Sequence, residues 1–358
     1  MALDPTLATH EYRTLGRTGL RVSRFGLGVM TYGWGADKAA ARELFDLYRD
    51  RGGNFFDTAD MYTAGESEMW LGEFIAGAGC RDDSVVATKF SFSSRPGDPN
   101  GGGNGRKHIL SALEGSLRRL RTDYVDVYIL HAWDRVTPVE EVVRTLDDLV
   151  RAGKVRHIGF SDTPAWYAAR AQTYADAFRT EPLALLQLEY SLVSRSLERE
   201  HVPLAVETNI SIVPWSPLGS GFLTGKYRRE GDRIVGSGRV SDMKDSGNPT
   251  LEKFSKRPRN WDILDAVLKA ADGLGVTPTE VALAWVLGRP RVDSVLVGAT
   301  KRDQLERNLA ALTLRLPDEI ARQLTDVSQP ESTELDHFFE PTMQAMVHGG
   351  AQVRRGGA

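Results

Sequence analysis

A single cysteine, Cys80, stands among 358 residues. The chain therefore closes no disulfide on itself and builds no cysteine-ligated zinc or iron–sulfur centre. Excess charge is missing too. The 45 Lys and Arg face 48 Asp and Glu, a net charge of −3, which offers no field for phosphate backbones or anionic lipid. Neither a nucleic-acid nor a membrane partner is expected. No apolar run approaches the roughly 18 residues that span a bilayer. The opening MALDPTLATHEYR has neither a basic start nor an apolar core, which predicts no secretory signal and a cytoplasmic protein. Also absent is a Gly-x-Gly-x-x-Gly after an early strand, so a Rossmann-type dinucleotide site is not indicated.

What is present has an ordinary globular balance, 41% hydrophobic and 26% charged. A chain of this length buries a large core unaided, and α/β barrels reach such a size as one domain. Short apolar runs recur at Phe25–Gly28, Asn54–Phe56, Val85–Thr88, Val127–Leu130, Arg156–Phe160, Leu183–Leu188, Ile210–Trp215 and Val295–Val297. Each is too short for a helix and apolar nearly throughout, as strands buried on both faces are. Helical patterns lie between them, among others at Lys38–Asp50, Ile109–Arg121, Val139–Arg151 and Asp303–Leu312. Eight strands alternating with helices predict an α/β fold, either a doubly wound sheet or a (β/α)8 TIM barrel. Units near thirty residues continued through eight strands favour the barrel.

The expected domain is a single barrel over residues 1–358, with the barrel itself at about 12–316 and a C-terminal segment and tail at 317–358. Tyr12–Leu15 and Leu20–Arg24 flank Gly16-Arg17-Thr18-Gly19, a β-hairpin signal that fits a plug for the barrel's N-terminal mouth. Three irregular stretches, the loop 91–105, the excursion 216–260 after the seventh strand and the tail, are expected over the C-terminal face, where βα loops build active sites.

Several strands end in polar residues. Asp57 closes the second, with Tyr62 in the loop just beyond; Lys89 closes the third and His131 the fourth. Each alone has a bland reading: an ion pair for Asp57 and Lys89, an amphipathic packer for Tyr62, a core histidine for His131. Together they project from one rim on adjacent strands. A phenol of pKa roughly 10 donates a proton poorly near neutrality, and an ammonium within hydrogen-bond reach lowers that value. Asp57 would orient Lys89, and His131 would orient a carbonyl. The set reads as a general acid with helpers.

The segments NFFDTADMY, ATK and SLRRLRTDYVDVYILH strongly resemble the aldo-keto reductase family, and the resemblance runs from the hairpin to about Leu316. It looks closest to bacterial relatives of the aryl-alcohol dehydrogenase branch. The likeness implies Tyr62 as acid, with Asp57, Lys89 and His131 completing a tetrad, and NAD(P)H-dependent carbonyl reduction by direct hydride transfer. No metal is called for. Ser161, Gln187, Trp215, Ser216, Pro217 and Leu218 resemble the family's nicotinamide and pyrophosphate contacts, as does Asp162, although the family usually has Asn there. A carboxylate only accepts where an amide also donates.

Gly219, Gly221, Leu223 and Lys226 continue the pyrophosphate segment, and Gly298, Thr300, Gln304 and Asn308 match the adenosine end. Arg307 stands where relatives often carry Glu. With Lys301 and Arg302 it favours NADPH over NADH, although solvated helix charges look the same in a sequence. Trp34, Phe92 and Trp133, with Phe90 and Tyr190, are candidates to line a mouth for an aryl or extended aliphatic aldehyde or ketone. Two rivals are a cofactor-binding regulatory subunit resembling potassium-channel β-subunits, and a barrel hydrolase with paired carboxylates. In the hydrolase, Tyr62 and Lys89 would have no role. The resemblance permits a homo-oligomer as readily as a monomer.

Overall fold

The computed structural model describes residues 11–93, 95–230, 233–236 and 250–353. Parts of the expected excursion and the end of the tail lie outside these residues.

An antiparallel hairpin, β1 (Tyr12–Thr14) and β2 (Arg21–Ser23), comes first. Next come β3 (Phe25–Gly28), α1 (Lys38–Asp50), β4 (Phe55–Asp57), α2 (Glu66–Ala78), β5 (Val85–Phe90), α3 (Arg106–Leu120), β6 (Val125–Leu130) and α4 (Val139–Arg151). They are followed by β7 (Val155–Ser161), α5 (Ala165–Phe178), β8 (Leu183–Glu189), α6 (His201–Thr208) and β9 (Ser211–Trp215). A small hairpin, β10 (Arg228–Glu230) with β11 (Arg233–Val235), and three helices, Thr250–Ser255, Pro258–Leu274 and Pro278–Leu287, precede β12 (Val295–Val297). Helices Arg302–Ala310, Asp318–Val327, Glu334–His337 and Pro341–Val347 complete the described chain.

The eight-stranded sheet runs β12-β3-β4-β5-β6-β7-β8-β9, every neighbouring pair parallel. An isolated bridge from Ile212 to Val292 and an Ile212 N–H donated to Arg291 O at 2.7 Å draw β9 toward the run into β12. The result is a nearly closed (β/α)8 barrel. The predicted helices Lys38–Asp50 and Val139–Arg151 form over those residues. The one expected at Ile109–Arg121 begins earlier, at Arg106, and the one expected at Asp303–Leu312 runs Arg302–Ala310 before tightening into a 3-10 turn at Ala311–Thr313.

Strand residues alternate in direction, and the core splits accordingly. Phe55, Val85, Ala87, Val127, Ile129, Leu185, Val213 and Leu296 form one cluster together with Leu15 and Val22 of the hairpin. This is the barrel interior, and the hairpin fills its N-terminal end. There the Gly16 N–H donates to Ser211 Oγ at 2.5 Å. Gly16 has φ +58°, and a Cβ on it would lie 2.4 Å from Ala184 O. Only glycine lets the turn come so close. Residues of the other parity, among them Phe56, Val86, Phe90, Tyr128 and Leu130, pack outward into the larger cluster beneath the helices.

Candidate active site

The same alternation builds the site. Two residues past an inward apolar side chain, or an inward glycine in β7, the next inward position on these strands is polar or amphipathic. Asp57 follows Phe55, Lys89 follows Ala87, His131 follows Ile129, Ser161 follows Gly159, Gln187 follows Leu185 and Trp215 follows Val213. The apolar layer ends and a polar bowl begins at the strands' C-terminal ends. Phe90 falls on the other parity and packs on Tyr128 at 4.7 Å, so it lies in the outer core and not at the mouth. Tyr190 is also buried, donating to Glu198 Oε1 at 2.5 Å. Neither lines the bowl.

Lys89 lies at the centre of the bowl's floor and is fully buried. Its Nζ donates to Asp57 Oδ1 at 2.5 Å, to Thr58 O at 2.8 Å and to Tyr62 OH at 3.3 Å. Gln187 Nε2 donates to the other oxygen of Asp57 at 2.8 Å, which fixes the carboxylate's plane. Burial opposes the Lys89 charge, but Asp57 and Tyr62 outweigh it and the pKa ends above its ordinary value. Tyr62 departs from expectation. Burial raises its phenol more than Lys89 lowers it, with Asp57 adding to the rise.

The His131 ring stands edge-on to Tyr62, centroids 5.7 Å apart at 80°. Burial first, and then Lys89, drive its pKa down to about 2, so the imidazole is neutral near pH 7. Its buried Nδ1 meets no partner.

Two residues that sequence reasoning passed over hold this histidine. Ser91, at φ +119°, accepts the backbone N–H of His131 at 3.1 Å and donates to Asn104 Oδ1 at 2.6 Å. Asn104, fully buried, donates in turn to Ala132 O at 2.9 Å. The 91–105 loop is thereby tied to the strand end that carries His131. An Asn isolated in a Gly-rich loop was the available signal. A second buried group gathers at the start of α2. Glu68 accepts Thr88 Oγ1 and Arg119 Nε, both at 2.6 Å, and nearby Asp60 is pushed up to about 7 by burial and then by Glu68.

At the ends of β7 to β9, Ser161 Oγ is buried without a partner in hydrogen-bonding geometry, though near enough to the Asp162 carboxylate to favour its charged form. Trp215 is half-buried, and its Nε1 donates to Asp162 Oδ1 at 3.1 Å. Ser216, Pro217, Leu218, Gly219 and Gly221 form the tight turn after β9, with Ser216, Gly219 and Gly221 all at positive φ. The N–H groups of Gly219 and Gly221 are taken up inside that turn, by Ser216 O at 2.9 Å and Leu218 O at 3.1 Å. Leu223 is fully buried and Lys226 exposed. Beyond β12, Gln304 Oε1 accepts Thr300 N–H at 2.9 Å, and Asn308 Nδ2 donates to Gly298 O at 3.3 Å. Exposed Lys301 precedes this helix. Arg302 pairs with Glu306 and Glu43, and Arg307 with Asp303 at 2.8 Å.

Around the mouth, Phe92 stands edge-on to His131 with centroids 4.9 Å apart. Trp133 instead packs on α5, against Trp166 at 5.4 Å and Tyr167 at 5.9 Å, beside the outer cluster, and Trp34 is about half exposed, 51%. The described part of the excursion reaches this rim, where Lys253 Nζ donates to Glu189 Oε2 at 2.5 Å. The tail meets the segment before α6 through an Arg199–Asp336 pair at 3.3 Å. Among the described residues no helix is long and apolar enough to cross a membrane.

The sequence profile of the aldo/keto reductase family matches residues 24–329. The chain is 38% identical over 324 residues to an aryl-alcohol dehydrogenase of Pestalotiopsis microspora, covering 85% of this chain and 78% of that protein. An aryl-alcohol dehydrogenase [NADP(+)] of Phanerodontia chrysosporium is 34% identical over 346 residues, 91% of this chain and 88% of its own length. A probable voltage-gated potassium channel subunit beta of Oryza sativa subsp. japonica is 36% identical over 338 residues, 90% of this chain and 99% of that protein.

Proposed function

As the chain belongs to the aldo/keto reductase family, it is an oxidoreductase, and we propose that it is an NADPH-dependent reductase of aldehydes or ketones with Tyr62 as proton donor. The observation that carries this reading is Lys89 Nζ, shared between Asp57 Oδ1 at 2.5 Å and Tyr62 OH at 3.3 Å. A buried ammonium beside a phenol favours phenolate and eases proton release as the carbonyl oxygen gains charge. Asp57 keeps Lys89 charged and in place. His131 is no proton source near neutrality, with its pKa driven down to about 2. As a neutral imidazole it orients the carbonyl oxygen toward Tyr62.

The cofactor supplies the hydride when bound. The residues present fit it. Ser161 Oγ, buried and near the Asp162 carboxylate but in no hydrogen bond of good geometry, is suited to a carboxamide, and half-buried Trp215 offers a flat ring face. Gly298, Thr300, Gln304 and Asn308 would hold the adenosine end, and the turn at 216–221 with Lys226 the pyrophosphate. Lys301, Arg302 and Arg307 support preference for a 2′-phosphate. The pairs of Arg302 and Arg307 are exposed ion pairs, which water screens, and they yield readily to a phosphate. Phe92, edge-on to His131, supports an aryl carbonyl, with Trp34 a further candidate for the rim.

The test begins with titration of NADPH and NADH against the protein's Trp fluorescence, followed by turnover on an aryl-aldehyde panel. Saturable binding, tighter for NADPH, is expected. Tyr62→Phe keeps the ring against His131 and should lower kcat by about 10²–10⁴ with NADPH affinity retained. Unchanged turnover would refute Tyr62 as the acid. The likeness to a channel β-subunit supports a second reading, a cofactor-binding subunit with little turnover, which predicts NADPH binding without multiple turnovers and a co-purifying partner.

A further inference from the structure

Asp162 takes no part in the proton path above, yet its side chain faces the same bowl. Its N–H donates to Gln187 O at 3.3 Å, and its carbonyl accepts the Trp133 N–H at 3.4 Å. These bonds fix a left-handed backbone, φ +44°, a region that Asp and Asn tolerate better than most residues. Neutral donors hold the carboxylate, Trp215 Nε1 at 3.1 Å and the nearby Ser161 hydroxyl, and among the described residues no cation forms an ion pair with it. The residue is exposed and adjoins the Trp215 ring that the proposed function sets beside the nicotinamide. Lys89 and Glu189 act on it with opposite signs from a distance. A carboxylate facing a binding cavity without a cation favours a ligand that brings one.

We propose that Asp162 makes the site selective for the oxidised cofactor, serving as counter-charge to the cationic nicotinamide ring. The inference rests on the proposed function. In that reaction hydride forms the new C–H bond, Tyr62 supplies the proton to oxygen, and the ring passes from neutral to a unit positive charge. Asp162 thus interacts differently with the two redox forms, which is the condition for shifting their equilibrium. An amide at the same place would not. The consequence is an on-enzyme equilibrium tilted toward alcohol and oxidised cofactor, together with slower release of that cofactor.

The experiment measures Kd for NADP+ and for NADPH on the wild-type protein and on Asp162→Asn, across pH 5 to 8. The ratio Kd(NADPH)/Kd(NADP+) should fall on the order of tenfold in the variant, as a nearby charge of partly screened strength implies. A merely structural role would weaken both forms equally and leave the ratio alone. Burial first, and then Glu189, raise the Asp162 pKa to about 6 against the opposing indole N–H, Lys89 and Ser161, although the open face lets water temper that rise. The wild-type ratio should therefore drop toward the variant's below about pH 6. Protonation of the 2′-phosphate is common to both cofactors and cancels. Asp162→Ser removes the same charge and serves where Asp162→Asn fails to fold. Binding of both forms with a ratio unchanged in the variant overturns this inference alone. A folded wild-type protein that binds neither overturns the proposed function as well.

Discussion

Replacing Lys89 by Met removes a charge from the most enclosed point of the site and keeps most of its volume. Lys89 is fully buried, and its Nζ donates to Asp57, Thr58 and Tyr62. The variant leaves Asp57 with Gln187 Nε2 as its remaining side-chain donor, so a buried carboxylate loses its counter-ion. Breaking a buried pair from one side costs about 3–5 kcal/mol. The Tyr62 phenol, already above its ordinary pKa through burial, also loses the cation that opposes that rise. A general acid deprived of its helper should lose about 10²–10⁴ in kcat.

The assay pairs urea unfolding with kcat and NADPH affinity, in Lys89→Met and in Asp57→Asn/Lys89→Met. The double variant has no stranded charge and should recover most of the lost stability without recovering turnover. Return of turnover together with stability in the double variant would refute the helper role and leave Asp57–Lys89 as a structural pair.

Ser91→Ala should leave the His131 N–H on Phe90 O alone, at 3.0 Å, and strand the buried Asn104 Oδ1, at a cost of about 1–3 kcal/mol. A larger drop in kcat than in NADPH affinity is expected, and an equal drop in both would count against positioning of His131. Asp60 has a folded pKa raised to about 7 by burial and by Glu68, against the opposing Arg119. Its ionisation in the folded state is therefore costly. The penalty is absent below about pH 4 and grows as pH rises toward 7, up to roughly 4 kcal/mol from the size of the shift. Asp60→Asn should flatten the stability–pH curve over that window and gain on the wild type at pH 8. Identical curves in calorimetry would show that Asp60 is not perturbed.

Much of this was legible from order along the chain. Apolar runs of strand length alternating with helical stripes specify a barrel because each unit must bury its own face, and the polar residue closing each run marks the rim. Strand parity was legible too, and it separates Lys89 from Phe90, one residue apart, into bowl and outer core. Aromatic character alone does not make that distinction, which is why Phe90 and Tyr190 read as mouth residues until the strand direction placed them.

Other features depend on contacts between segments far apart in the chain. Ser91 and Asn104 meet only because the loop folds back on the β6 end, and Gln187 reaches Asp57 across the barrel. The rise in the Tyr62 pKa comes from the density of protein around it, a sum over strands that no local motif encodes. Composition, spacing and alternation, being local, settled the barrel and the residues that end its strands. Distances, burial and the balance of opposing charges arise only when the strands close, and the tertiary structure alone decided those.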